Sequence, residues 1–393
     1  PYPTLHTEDT LLSARTMGWM MNEYNITGNL YWAVNIYAQY ENNAYKPLDD
    51  YFSQASHFPN VNGDGYLFYP GGQYGLSSPI ASIRLEALRD GLEEYEIGYA
   101  LKNAYANLPK ENAEESFNGI YKNLTSSLYS GTRVNTTVQS FAAARRNLYE
   151  LAALSGSEAN VCLTNFTDDD YGHLSYEIYA KKGYELKNGG KTLTPVRENG
   201  DYSVYELAFD LAKGENEIAL SVACGGKIYT FEKHLGGKVT AYKAEQFAGN
   251  FSVLDGATVE AELVPALTGG NDTWMNVKVG KAASKKWQNF KWTNELFSSL
   301  NAQSKKVVFH IYLSGDKELP LTVSAKYKNS SILSDLSKYT LKPGMNVVMI
   351  SGLDAFEWDR LGGVEYLAFY LGAKKGNAAV NGLYIADVAA YSV

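Results

Sequence analysis

The hydrophobic period of this chain changes once, near residue 156, and that change constrains the fold more than any other feature. Up to about residue 155, apolar residues recur at three- and four-residue steps in several stretches; from about residue 158 onward they alternate. A period near 3.6 makes a helix with one buried stripe, and a period of two makes a half-buried strand. A helix-bearing front followed by an all-β remainder is therefore expected. With 393 residues the chain exceeds one ordinary domain, and at about 100–200 residues each two to three domains are expected.

In the front part, Asp9 to Asn25 reads as a helix. Gly28 to Tyr37 is nearly all apolar, as expected of a parallel strand covered on both faces. Tyr66 to Tyr69 reads as the next strand, stopped by Pro70. Ser78 is a natural N-cap and Pro79 fits the first helical position. The helix that follows carries Ala81, Leu85, Leu88, Leu92, Tyr95 and Tyr99 on one stripe. Arg84, Glu86 and Arg89 read as an ion-pair network on this helix, and Arg89 can also pair with Glu93 four residues on. Two further helices carry Phe117, Ile120, Tyr121, Leu124 and Leu128, then Val138, Phe141, Ala142, Arg145, Leu148 and Ala152, with Gly156 as the stop.

Beyond the change of period, Tyr176–Ala180, Ser203–Leu207 and Glu217–Val222 read as strands, with turns at Asn188-Gly189-Gly190 and Asn199-Gly200-Asp201. They imply a small sandwich over 157–238 that resembles an immunoglobulin-like spacer without the buried tryptophan of antibody domains. Val307–Leu313, Asn346–Ile350, Val364–Tyr370 and Leu383–Val388 are strands of a second β region, 239–393, for which a jelly roll is the natural architecture.

The net charge of −8 argues against nucleic acid or an anionic membrane as the main partner. No apolar run is long enough to span a bilayer, and no signal peptide is seen. The first residue, Pro1, falls in a loop leading into a helix, so the chain is expected to begin inside a longer protein. Cys162 and Cys224 are the two cysteines; both a disulfide across a sandwich and two buried thiols are compatible with their placement. The five histidines are scattered and show no zinc-ligand spacing. Tyrosine is abundant, with 31 residues; its ring suits both sandwich strands and sugar faces.

Chemistry is expected at two strand–helix junctions. One holds Asn35, Tyr37, Gln39, Tyr40 and Glu41; the other holds Tyr69, Pro70, Gly71, Gly72, Gln73 and Tyr74. If both strands are parallel, both loops open on one face, where substrates sit in barrel enzymes. Trp32 could floor a sugar subsite and Asn35 could bind a sugar hydroxyl, although alternation puts them on opposite faces unless a bulge intervenes. Tyr69 and Gly71 complete this set. Barrel core is the competing assignment for Trp32. In the last region Trp274, Trp287, Trp292 and Trp358 are candidate platforms. Trp287 and Trp292 lead because a lysine-rich polar stretch surrounds them, against burial, the usual state of any one tryptophan.

The series Gly63-Asp64-Gly65, Tyr69-Pro70-Gly71, Ser82-Ile83-Arg84-Leu85-Glu86, Arg89-Asp90-Gly91 and Glu94-Tyr95-Glu96 resembles the domain of unknown function 4091. That domain closes the catalytic barrel of glycoside hydrolases similar to family 123. Arg15, Trp19 and the run Asn25–Trp32 with Asn35 resemble the penultimate helix and strand of such barrels. The resemblance spans roughly residues 5 to 155. It implies a multidomain α/β plus all-β protein: the C-terminal strands and helices of a (β/α)8 barrel with a helical extension (1–156), then the two β-sandwiches. It also implies cleavage of β-linked N-acetylgalactosamine by an adjacent Asp-Glu pair on an earlier strand. There the glutamate is the general acid and the aspartate positions the substrate's own acetamido group, an exception to the two-carboxylate scheme. Such a pair is not found in this chain. Glu93-Glu94 falls on a helix surface and Asp168-Asp169-Asp170 in a turn, and both read as solvated charge.

No catalytic residue is therefore assigned here. A missing barrel segment that packs on residues 1 to about 105 is the expected partner, because two strands cannot close a barrel of eight. A glycan or polysaccharide is the expected ligand, and an extracellular or cell-surface location follows from the looser resemblance of the β regions to accessory sandwiches of secreted polysaccharide enzymes. No cofactor is expected for catalysis. Glu245 and Asp387 resemble the carboxylates of a structural calcium site in carbohydrate-binding jelly rolls. The rival functions are a non-catalytic glycan- or cell-wall-binding protein and a plain spacer.

Overall fold

The computed structural model describes residues 3–47, 56–58, 61–131, 133–135, 137–168, 172–214, 216–247, 249–254, 258–293, 306–331, 333–351, 361–373, 375 and 378–392. The chain forms two compact units. The first is Pro1–Phe166, Tyr176–Leu207 and Ile218–Lys233; the second is Thr167–Ser175, Ala208–Glu217 and His234–Val393. The residues of the expected small sandwich are divided between the two.

The first unit opens with α1 (Leu11–Glu23), the hairpins β1 (Ala38–Glu41)/β2 (Ala44–Pro47) and β3 (Ser56–Phe58)/β4 (Val61–Asn62), and the short strands β5 (Phe68–Tyr69) and β6 (Ile80–Ala81). The elements α2 (Ile83–Ala106), α3 (Ala113–Thr125), β7 (Tyr129–Ser130), β8 (Arg133–Val134) and α4 (Val138–Gly156) follow. Residues 28–37 form no continuous strand. Asn35 alone makes a bridge, to Tyr66, and it is antiparallel; β5 pairs antiparallel with β6. The two segments expected to run parallel therefore run opposite ways. A strand apolar on both faces needs a layer on each side, and the described residues cover this stretch only in part: Tyr31 packs on the cluster of Leu5, Ala14, Leu67 and Ala87, but Leu30 is 94% exposed, Trp32 47% and Val34 37%.

The long helix also starts later than the Ser78-Pro79 signal. Ile80–Ala81 is taken by the pairing with β5, and Ser82 caps α2 by accepting the Leu85 amide on its hydroxyl at 3.3 Å. The buried face of α2 carries Arg84, Ala87, Gly91, Glu94 and Gly98. Of the expected stripe, Leu85 and Leu88 pack half-buried on the cluster of Leu5, Ala14, Leu67 and Ala87, whereas Leu92 and Tyr99 are exposed. Close approach of α1 explains the exchange. A Cβ on Gly91 would lie 2.4 Å from the Arg15 carbonyl oxygen, and one on Gly18 1.9 Å from that of Gly91. Only the small-residue face of α2 lets the two backbones meet; a leucine stripe would hold them apart. Trp19 of α1 is buried against Phe141 of α4 and Tyr121 of α3, at centroid distances of 5.8 and 6.2 Å.

The strands of the small sandwich are β9 (Cys162–Asp168), β10 (His173–Lys181), β11 (Leu186–Asn188), β12 (Lys191–Thr192), β13 (Arg197–Asn199), β14 (Tyr202–Asp210), β15 (Asn216–Cys224) and β16 (Lys227–Gly236). They form two four-stranded sheets, ordered β13-β14-β10-β9 and β12-β11-β15-β16. Gly189, Gly190 and Gly200 turn the chain at positive φ. Cys162 and Cys224 are free, buried thiols, so no disulfide joins the sheets.

The second unit is mainly a two-sheet sandwich built from β17 (Lys238–Lys243), α5 (Ala244–Phe247), β18 (Phe251–Val253), β19 (Val259–Pro265), β20 (Thr273–Val279), β21 (Gln288–Thr293), β22 (Lys306–Leu313), β23 (Leu319–Tyr327), β24 (Leu333–Leu341), β25 (Gly344–Ser351), β26 (Val364–Leu371) and β27 (Val380–Tyr391). One sheet runs β19-β20-β27-β22-β25 with β17 also on β27; the other runs β18-β21-β26-β23-β24. Alternate residues of both sheets meet in one core, where Phe290 stacks on Phe369 at 4.8 Å and Trp292 packs on Phe309 at 5.1 Å. Among the described residues no helix is long and apolar enough to cross a membrane.

Candidate functional site

In the first unit the site is organised by the turn Gly63-Asp64-Gly65. Both glycines take positive φ, and both sit where a side chain would collide. A Cβ on Gly63 would lie 2.5 Å from the Arg84 guanidinium, and one on Gly65 2.5 Å from the Trp32 ring. Arg84 is buried on α2 and donates to the carbonyls of Leu5 (2.5 Å), Gly63 (2.7 Å) and Tyr66 (2.7 Å). It is therefore an interior clamp on the turn. Of the expected surface network, only the pairs of Arg89 with Glu86 and Glu93 form.

So held, Asp64 accepts hydrogen bonds from the Tyr31 hydroxyl (2.8 Å) and the Trp32 indole N–H (2.9 Å), and His6 Nε2 lies 3.9 Å away. The Tyr31 oxygen in turn accepts the Gly65 amide at 3.1 Å. Burial, and then the hydrogen bond to the Asp64 carboxylate, push the Tyr31 phenol up to about 12, so it donates throughout the physiological range. The result is a partly exposed indole beside a carboxylate, with a fixed phenol below. This is a surface that can take the apolar face of a sugar ring and accept from its hydroxyls. Asp64, Tyr31 and His6 escaped assignment from the sequence. The glycines on either side of Asp64 were the available signal, since they mark a turn that presents its central side chain.

The other expected residues lie apart from this group. Tyr69 lines a cleft of about 440 Å³ with Thr7, Asp9, Leu11 and residues 80–84, whereas Trp32 and Asn35 do not line it; Asn35 is exposed beside its bridge to Tyr66. Gly71 is a packing residue: it is buried, and a Cβ there would meet the Ser78 carbonyl oxygen at 1.9 Å.

The described members of the two carboxylate runs, Glu93, Glu94 and Asp168, are each paired with a basic side chain. Glu93 is exposed, but Glu94 is buried to 1%, which corrects its placement on the helix surface. Its carboxylate accepts the Trp19 indole N–H at 2.7 Å, Arg15 Nε at 3.0 Å and Arg145 Nε at 3.0 Å. A carboxylate so saturated with donors is out of reach of substrate. Asp168 is paired with Lys306; Asp169 and Asp170 lie outside the described residues.

In the second unit the platform candidates separate by strand parity. Trp292 is 0% exposed, two residues from the inward Phe290 on β21, and packs with Phe247, Phe251 and Phe309. It is a core residue and not a platform. Trp274 is also buried, and Trp358 lies outside the described residues. Trp287 precedes β21, is half-buried and meets Tyr370 edge-on at 6.2 Å and 85°. Asp387 is held by His310 Nδ1 at 2.6 Å, and Glu245 is exposed on α5. No group of three or more His, Cys, Asp or Glu able to hold a metal occurs among the described residues.

A family model described as "Glycoside hydrolase 123, catalytic domain" matches residues 1–100, about a quarter of the chain. No curated protein matches it. Among solved structures, a family 11 carbohydrate-binding module from Clostridium thermocellum, in complex with a beta-1,3-1,4-mixed-linked tetrasaccharide, shares 13% identity with a TM-score of 0.29, covering 40% of this chain and 96% of that one. A xylan-binding domain from family 22 shares 11% with a TM-score of 0.26, over 40% and 95%. A carbohydrate-binding module of the β-sandwich superfamily shares 11% with a TM-score of 0.29, over 57% and 95%.

Proposed function

We propose that this chain is the C-terminal portion of a secreted or surface glycoside hydrolase acting on N-acetylhexosamine-containing glycans, and that its acid-bearing Asp-Glu pair lies on a barrel segment outside these residues. The match of residues 1–100 to a glycoside hydrolase catalytic domain relates the protein to glycan chemistry. One observation carries the rest. The stretch expected as a covered barrel strand is fully open at Leu30 and partly open at Trp32 and Val34, and α2 is partly open at Leu92 and Tyr99. A composition suited to burial, left open at these positions, favours a covering layer, which the missing staves of a (β/α)8 barrel would supply if the antiparallel bridge between Asn35 and Tyr66 gave way to parallel pairing with them. In the assembled barrel, Trp32 and Asp64 would hold the sugar while the distant pair protonates the leaving oxygen and orients the acetamido group. The jelly-roll topology of the last region and an immunoglobulin-like spacer belong to the same proposal.

The test is hydrolysis of an aryl N-acetyl-β-galactosaminide by the 393-residue chain and by the same chain joined to its preceding sequence. Turnover only by the longer protein is the expected result. Turnover by this chain alone would place an acid within it and overturn the proposal, as would an inactive longer protein that binds no amino-sugar inhibitor.

A further inference from the structure

The turns at one end of the large sandwich carry a charge opposite in sign to that of the chain. Strand register fixes which turns meet there. Gln288 of β21 lies opposite Leu371 of β26, Leu371 opposite Leu321 of β23, and Leu319 opposite Leu341 of β24. In the other sheet, Val279 of β20 lies opposite Val380 of β27, and Leu313 of β22 lies between Leu383 of β27 and Gly344 of β25. The segments 280–287, 314–318, 342–343 and 372–379 therefore leave the two sheets at the same end.

The segment 280–287 carries Lys281, Lys285 and Lys286 and no acidic residue. Lys342 and Lys375 stand in two of the other segments, and Lys317 lies between Asp316 and Glu318 in the fourth. All of these side chains are exposed, so six lysines stand against two acids at this end, on a chain of net charge −8. Among the described residues no carboxylate pairs with Lys281, Lys285, Lys317, Lys342 or Lys375. The nearby strand residue Glu262 is taken by Lys278 at 2.5 Å. The turn that bears three of the lysines is also fixed from below. Gln288, 0% exposed, donates Nε2 to the carbonyls of Val279 and Gly280 at 2.9 Å each. The Gly280 amide donates to Thr258 and the Lys286 amide to Ala283, both at 2.8 Å, and Ala282 is buried. A backbone already fixed has little entropy left to lose on binding. Like charges gathered within about a Debye length, ~10 Å at 0.1 M salt, act together on a chain of opposite charges.

We infer that this end of the sandwich docks an anionic polysaccharide, one that carries carboxylate or sulfate groups along its length. The inference rests on the glycan reading of the protein and adds the charge class of the polymer; it needs neither ring stacking nor hydrolysis. A DNA duplex or a bilayer spreads its charge over a wider area and would also meet the acids of a net-negative chain, whereas a single glycan strand can follow the lysine turns alone. Lysine is a compact point charge on a flexible stem, suited to carboxylate or sulfate groups at variable spacing. The four described cations unpaired outside the Asp316–Glu318 turn, Lys281, Lys285, Lys342 and Lys375, are all of this type.

The test is biolayer interferometry of the chain with chondroitin 4-sulfate, unsulfated chondroitin, neutral dextran and a DNA duplex of about 20 base pairs, at about 0.02 M and about 0.3 M salt. Two double variants of equal charge change are compared. Lys285→Glu with Lys375→Glu alters the lysine end; Lys238→Glu with Lys328→Glu alters the opposite end, where Lys238 lies against Tyr391 and Lys328 follows β23. The expected result is binding of an acidic polysaccharide that weakens at the higher salt. It should fall about tenfold or more in the first variant and within about twofold of the parent in the second. Tighter binding of the sulfated polymer assigns the contact to sulfate, and equal binding of the two assigns it to the shared carboxylate. No binding of either acidic polymer, equal binding of dextran, tighter binding of the duplex, or equal losses in the two variants would overturn the inference. Hydrolysis of the aryl glycoside by the longer protein tests the other reading separately, because a small uncharged substrate does not need this end.

Discussion

Removing the Glu94 carboxylate should cost the first unit about 3 kcal/mol. The side chain is 1% exposed and receives hydrogen bonds from Trp19, Arg15 and Arg145. In Glu94→Ala the Trp19 N–H is left buried without an acceptor, at about 1–3 kcal/mol. Breaking a fully buried ion pair costs about 3–5 kcal/mol. Here the arginine side chains are 22% and 46% exposed, and Arg15 keeps Asp90 at 3.5 Å. Water can therefore take over much of their solvation, and only the lower part of that range applies. Glu94→Gln keeps an acceptor for the indole and should cost roughly half as much. Trp19→Phe removes the orphaned donor, so Glu94→Ala should cost about 1–2 kcal/mol less in that background than in the parent. Because the chain has more than one unit, a single denaturation midpoint is a poor readout. Native-state hydrogen exchange of the α1 and α2 amides isolates the affected region. A Glu94→Ala change below about 0.5 kcal/mol, or no coupling to Trp19→Phe, would show that Glu94 is solvated after all.

Gly91→Ala should destabilise α1–α2 packing by about 1–2 kcal/mol in the same exchange experiment. The gain in helix propensity is about 1 kcal/mol, but the added carbon lies 2.4 Å from a backbone carbonyl that cannot step aside; a neutral or stabilising result would contradict the helix contact. Trp292→Ala should cost the sandwich about 3–5 kcal/mol, whereas Trp287→Ala should leave its melting nearly unchanged; the reverse order would mean that the two residues had been assigned to the wrong faces. Burial raises the Cys162 thiol from 9.0 to about 12. Its pKa is higher in the folded chain, so the stability it contributes is complete below about pH 9 and is lost as pH rises toward 12. Cys162→Ala should accordingly flatten the alkaline fall in stability, and reaction of native Cys162 with a thiol reagent at pH 8 would contradict its burial.

The strands of the two β regions were legible because alternation identifies them locally: the runs 307–313, 346–350, 364–370 and 383–388 fall inside β22, β25, β26 and β27. The same alternation, followed from Phe290, also carried the information that Trp292 points inward and that Trp287, outside the strand, does not. What no local pattern carries is the identity of the neighbour. Glu94 looks like one of a pair of surface charges until α1 and α4 bring Trp19, Arg15 and Arg145 to it. Arg84 looks like part of a helical ion-pair ladder until Leu5 and the turn at 63–66 offer it three carbonyls. Ser78 loses the cap to Ser82 because β5 claims the residues between them.

The apolar stretch 28–37 is the same problem with the opposite outcome. Its composition demands two covering layers, and the described residues of the first unit provide at most one, under Tyr31, so Leu30 lies bare and Val34 partly open. Glutamate, arginine and serine found partners that their spacing did not announce; this stretch announces a partner that the described residues of the unit do not fully supply. A composition shaped for burial and a surface left open are reconciled if another polypeptide segment completes the layer. On that account the exposed indole of Trp32, already anchored to Asp64 by its N–H, would become one wall of an enclosed sugar site once the segment docks. Joining the preceding sequence should therefore protect the 28–37 amides from exchange, and unchanged protection in an active longer protein would separate the hydrolase from the barrel that the exposed stretch implies.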